Sequence, residues 1–191
     1  VNVNVRPYYA EGSKTLGYEI AEQLGWRLPD QVVIPVASGS QLTKIDKAFR
    51  ELIALGLVEA RPYRIFGAQA TGCAPVSAAF RAGHQVGRPV RPDTIAKSLA
   101  IGNPADGPYV LDVVRRTGGA IVDVDDETVV ENIQRLARTE GILAALESSH
   151  AIAQAIKLAR DLPRDALVLA NLSGRGDTDI YAIAKREGIS L

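Results

Sequence analysis

Residues 32–42 read VVIPVASGSQL. Val32–Val36 is a short, β-branched run, the pattern of a strand buried on both faces. Ala37, Ser38, Gly39, Ser40 and Gln41 follow as a turn of small and polar residues. From Leu42 the period changes. Ile45, Phe49, Leu52 and Ile53 recur at helical spacing as far as Leu55, and Gly56 closes the segment. A buried strand that turns through a glycine into an amphipathic helix is the opening of a βαβ unit.

The same alternation extends in both directions. Upstream, Ala10–Leu24 carries Leu16, Ile20, Ala21 and Leu24 on one helical face and stops at Gly25. Downstream, Tyr63–Ala68 reads as strand and Pro75–Ala82 as a short helix. Residues 83–93 hold Gly87, Pro89 and Pro92 and read as loop. Thr94–Ala100 reads as one or two helical turns, Asp106–Arg116 as helix, and Ala120–Val124 as strand. Asp125 or Asp126 can cap a helix that runs to Thr139. Ser148–Leu162 is an Ala- and Ile-rich helix, Ala166–Leu172 a strand, and Thr178–Glu187 the last helix. The expected fold class is therefore α/β: three layers, with a mostly parallel sheet and helices on both faces. No linker divides the chain, so residues 1–191 read as one domain.

Composition narrows the function classes. The 191 residues are 47% apolar and 23% charged, with a mean hydropathy of +0.03, as in a globular protein. Lys+Arg and Asp+Glu number 22 each, which gives no electrostatic case for nucleic acid or an anionic membrane surface. No apolar run approaches the ~20 residues that span a bilayer. With one cysteine, Cys73, and two histidines, His84 and His150, a Cys-rich or His-based metal site is not expected. The expected location is the cytoplasm. The chain begins at Val1 and contains no Met, which reads as a piece of something longer or an engineered sequence.

In open α/β sheets, ligands bind beyond the carboxyl ends of the strands. Two such ends carry polar glycine turns. In residues 37–41, free N–H groups at a helix start can receive a phosphate, and small side chains let it approach. In residues 171–177, NLSGRGD, Ser173 sits where a hydroxyl would enter the crevice. Glu147, among Ala144, Ala145 and Leu146, is either a partly buried carboxylate or an acid placed for the helix dipole. His150 and Cys73 read as packed residues. Lys44, Lys47 and Lys157 read as solvated helix side chains.

Several segments taken together resemble a known group. RPYYAEGSKT from Arg6, PVASGS from Pro35, GAQATGCAP from Gly67, TIAKSLAIGNP from Thr94 and RTEGI from Arg138 are similar to threonine synthase. That places residues 1–143 with the C-terminal part of fold type II pyridoxal-phosphate enzymes. Residues 144–191, with ALESSHA and NLSGRGD, look like the tryptophan synthase β subunit instead. The chain thus reads as a fragment or chimera with a seam near Leu143.

The resemblance implies pyridoxal 5'-phosphate as cofactor and a large-domain α/β fold. It implies that Ala37, Ser38, Gly39, Ser40 and Gln41 cradle the phosphate, that Ser173 faces the pyridine nitrogen, and that Glu147 stands near the ring. Asn103 and Lys14 would contact an amino-acid substrate. The implied activity is a biosynthetic lyase converting O-phosphohomoserine to threonine and phosphate. Two alternatives stand beside it: a β-replacement enzyme joining indole to serine, and a stand-alone non-catalytic domain. The family's Schiff-base lysine lies in an N-terminal motif that none of Lys14, Lys44, Lys47, Lys97, Lys157 and Lys185 matches. Truncation would expose an apolar face and favour self-association, as in a homodimer.

Overall fold

Four strands form one parallel sheet in a computed structural model that describes residues 7–190. They are β1 (Gln31–Pro35), β2 (Arg64–Ala70), β3 (Ile121–Val124) and β4 (Val168–Ala170), in the order β3-β2-β1-β4. Gln31 pairs with both Arg64 and Val168, and Gly67 with Ile121. The helices are α1 (Pro7–Gly12), α2 (Thr15–Gln23), α3 (Ser40–Ala54), α4 (Pro75–Arg81), α5 (Gly107–Thr117), α6 (Asp126–Glu140), α7 (Leu146–Ala159) and α8 (Ile180–Arg186). None is long and apolar enough to cross a membrane among the described residues.

β1 is buried along its whole length, and its side chains alternate between two cores. Val32, Ile34 and Val36 pack with Ile45 and Phe49 of α3, Ala21 of α2 and Val110 of α5. Val33 points the other way, with Phe66 of β2 and Ala151 of α7. α6 and α7 close that second face through Val129, Ile133, Leu146 and Ala153. This is the three-layer arrangement that the strand–helix alternation predicts.

The strand order sets where a ligand can enter. From β1 the chain steps to β2 and β3 on one side, then returns to add β4 on the other. The connections leaving β1 and β4 diverge at their carboxyl ends, which opens a crevice there.

Several boundaries differ from the sequence reading. The helix expected over Ala10–Leu24 is two helices, parted at Ser13 and Lys14, where the Lys14 N–H bonds the Glu11 carbonyl three residues back (3.2 Å) and the four-residue ladder lapses. Thr94–Ala100 holds a single 3-10 turn, Lys97–Leu99. The last strand shrinks to three half-buried residues, since it pairs only with β1 among the described strands. α7 starts two residues early, at Leu146, which brings Glu147 inside its first turn. Of the two candidate caps for α6, Asp125 serves: its Oδ1 accepts the Thr128 N–H at 2.7 Å.

Candidate functional site

The first turn of α3 determines what the crevice offers. Four N–H groups at a helix start have no partner within the helix. A side chain normally caps them, but the N-cap here is Gly39, and no side-chain cap takes up these donors among the described residues. Gly39 has φ +101°, a left-handed conformation that glycine alone adopts freely. The result is a run of main-chain amides with only methyl, hydroxymethyl and amide side chains around them.

The backing of this turn refines the sequence reading. A Cβ at position 39 would not project into the crevice. It would meet Val110 Cγ2 at 2.4 Å and Asp106 Cβ at 3.1 Å. The turn therefore leans on the start of α5, and the Asp106 N–H also holds the Ser38 carbonyl at 3.0 Å. Glycine is needed at 39 for φ and for contact with α5, more than to admit a ligand.

A cavity of about 290 Å³ opens over the turn. Ala37, Ser38, Gly39, Ser40 and Gln41 line it from β1 and α3, Glu147 from α7, and Ser173 from the segment after β4. All seven residues singled out for a cofactor thus meet at one place, although they come from three separate parts of the chain. Hydrogen bonds fix those parts to one another. Asn171 Nδ2 donates to Gln41 Oε1 at 3.1 Å. The Ser148 hydroxyl donates to the Ser173 carbonyl. Asp179 Oδ2 accepts the Leu146 N–H at 2.9 Å and so caps α7 from beyond β4.

Glu147 lies where the start of α7 meets the cavity wall. It is an acid in a helix first turn, and it is half-buried at the cavity wall, where Oε1 accepts the Ser98 N–H at 2.8 Å. Behind it, His150 is fully buried. Its Nδ1 lies 2.9 Å from the Leu146 carbonyl and 3.2 Å from that of Glu147. Two carbonyls can only accept, so Nδ1 carries the hydrogen and Nε2 the lone pair. Nε2 has no partner among the described residues, and burial pushes the imidazole pKa below 6.5. Cys73 is buried, as expected, and burial pushes its thiol up.

The residues proposed for substrate lie outside the cavity lining. Asn103 is exposed on the loop ahead of α5. Lys14 is buried, with Nζ 2.5 Å from Glu51 Oε2 and 2.7 Å from Glu11 Oε2. Two of the lysines read as solvated are not: Lys44 is buried at 9% exposure, and Lys47 is partly covered and paired with Glu11 and Glu51. Lys157 is exposed. No lysine lines the cavity. Sequence reasoning passed over Tyr9 and Ser98, which do line it. Both fall inside motifs quoted above, but neither stands out there as a chemical group.

The residues present fit a phosphate monoester. The uncapped start of a 15-residue helix presents its positive dipole end and free donors to a dianion. The one carboxylate at the cavity, Glu147, is tied to Ser98.

Comparison with known proteins shows the family. The family described as "Pyridoxal-phosphate dependent enzyme" matches residues 1–174. The threonine synthase of Methanocaldococcus jannaschii is 35% identical over 193 residues, covering 98% of this chain and 47% of the relative. The tryptophan synthase beta chain of Xanthomonas euvesicatoria pv. vesicatoria is 38% identical over 196 residues, covering 92% and 46%. Both likenesses therefore run across position 143. The chain spans about half the length of the curated relatives it matches. Among solved structures, the processed form of threonine deaminase isoform 2 from Solanum lycopersicum superposes with a TM-score of 0.70 at 17% identity, over 96% of this chain and 51% of that one. That last likeness is one of fold.

Proposed function

This chain belongs to the family of pyridoxal-phosphate dependent enzymes, and from that premise we infer that it forms the cofactor-phosphate half of a threonine synthase-type lyase. The reaction in this reading converts O-phosphohomoserine to threonine and phosphate. The observation that carries it is the convergence of residues 37–41, Glu147 and Ser173 on one cavity at the crevice between β1 and β4.

Bound pyridoxal phosphate supplies an electron sink for charge developing on an amino-acid substrate. The residues of this chain hold and orient it. The main-chain amides of the 37–41 turn and the start of α3 bind the phosphate dianion. The Ser173 hydroxyl would hydrogen-bond the pyridine nitrogen without placing a full charge beside it, which would suit elimination and replacement chemistry. Glu147, anchored by the Ser98 amide, would hold a carboxylate beside the ring. Asn103 is the proposed substrate contact on the loop that continues from Ser98. With no lysine at the cavity, the reacting amine comes from outside these 191 residues.

A second reading is a tryptophan synthase β-type enzyme joining indole to serine. The NLSGRGD segment and the 38% identity to a beta chain favour it. Supplying the lysine-bearing half of a relative and assaying both substrate pairs separates the two. A partner-independent test comes first: titrate the chain with pyridoxal phosphate, follow the visible spectrum, compete with inorganic phosphate, and trap with borohydride. Saturable, phosphate-competed binding without a lysine adduct is expected. A lysine adduct at a single site, or binding that phosphate leaves untouched, would overturn the assignment.

A further inference from the structure

Among the described residues, α1 buries none of its side chains. Six residues are too few for a helix to persist in water unaided. Yet Tyr9, in the middle of α1, lines the cavity while 51% exposed. Something other than apolar packing keeps this wall in place.

Four charges meet between α1 and α3. Glu11 on α1 pairs with Lys14 at 2.7 Å and with Lys47 on α3. Glu51 on α3 pairs with Lys14 at 2.5 Å and Lys47 at 3.1 Å, and accepts the Tyr18 hydroxyl at 2.8 Å. Lys47 and Glu51 are one turn apart on the helix whose start is the phosphate turn. The Lys14 ammonium beside Glu51 holds its carboxyl down to about 2, and Lys14 and Lys47 lower that of Glu11. The cluster is therefore fully ionised at neutral pH. Lys14 is held between the two carboxylates of this cluster.

We propose that Glu11, Lys14, Lys47 and Glu51 form a salt-sensitive latch that holds α1 against α3, and that Tyr9 is thereby kept as a ligand-contacting wall of the cavity. The four charged groups are positioning residues. Only the identity of the ligand rests on the cofactor reading; the latch does not.

Hydrogen exchange followed by mass spectrometry on the 191-residue chain tests the latch directly. Glu11 is 54% exposed, so Glu11→Gln leaves the core alone. Exchange over residues 7–14 should speed up about three- to tenfold in that variant, because partly exposed ion pairs are individually weak. Salt at about 1 M should do the same to the unsubstituted chain by screening. The rest of the chain should exchange as before. Unchanged exchange over residues 7–14 in Glu11→Gln would overturn the latch.

Titration with pyridoxal phosphate tests the wall. Tyr9→Ala and Glu11→Gln should each weaken binding several-fold, and unchanged affinity in Tyr9→Ala would overturn the role of Tyr9. Absence of binding in the unsubstituted chain would overturn the cofactor reading and Tyr9's role with it, while the exchange result still judges the latch.

Discussion

Gly39→Ala is the most informative single change. The added methyl imposes two separate costs. At φ +101°, a non-glycine residue is strained by about 1–2 kcal/mol. The methyl also arrives 2.4 Å from Val110 Cγ2 and 3.1 Å from Asp106 Cβ, where ordinary carbon contacts are near ~3.5–4.0 Å. Val110 is fully buried, so its side chain cannot swing into solvent, and overpacking of this kind costs about 1–3 kcal/mol. The combined loss is on the order of 2–5 kcal/mol, a large part of the ~5–15 kcal/mol that holds a typical domain. Denaturant unfolding of the two chains reads this directly. Val110→Ala in the Gly39→Ala background should recover the steric part and leave the backbone strain, a coupling that a double-mutant cycle isolates. A Gly39→Ala chain within about 0.5 kcal/mol of the original, or a cycle with no coupling, would refute the account of how α5 backs the turn.

Two further changes probe the site from other directions. Ser40→Asp puts a negative charge at the start of α3, which suits the helix dipole, so stability should hold or rise. Phosphate and pyridoxal phosphate binding, measured by titration, should nevertheless fall by at least about a hundredfold, since even unit like charges at about 5 Å near a protein surface repel by about 3 kcal/mol. The buried His150 gives a pH signature. Its folded-state pKa lies below 6.5, so the unfolded chain takes up a proton there first. Stability should be unaffected by this group above about pH 6.5 and decline as pH falls below it. His150→Leu should flatten that segment of the stability–pH curve, and an unchanged slope would contradict the neutral, Nδ1-protonated assignment.

Much of the fold was legible because strands and helices here carry different periods. Val32–Val36 and the Ile45, Phe49, Leu52 face pointed to β1 and α3, and glycines marked the helix ends. What the sequence concealed depends on contacts remote along the chain. The break between α1 and α2 falls where the Lys14 N–H turns to the Glu11 carbonyl while the Lys14 ammonium reaches Glu51 on α3. β4 is shorter than its apolar run because it lies half-buried on β1.

The same contrast holds at the site. Residues 37–41, Glu147 and Ser173 were recognisable as motifs with a chemical reading. Tyr9 and Ser98 were not, because only the fold brings an exposed tyrosine and a main-chain N–H to the cavity. Lys14 shows the converse: the motif marks a cation, and only the fold shows Glu11 and Glu51 around it.

The central claim is that the main-chain amides from Ser38 to Leu42 seat a phosphate. Backbone amide NMR of the chain, titrated with pyridoxal phosphate and separately with inorganic phosphate, reads those groups one by one. The account expects the largest, saturable shifts at residues 38–42 with both ligands, and smaller ones at Glu147 and Ser173 with pyridoxal phosphate alone. Shifts centred elsewhere, with residues 38–42 silent, would contradict it.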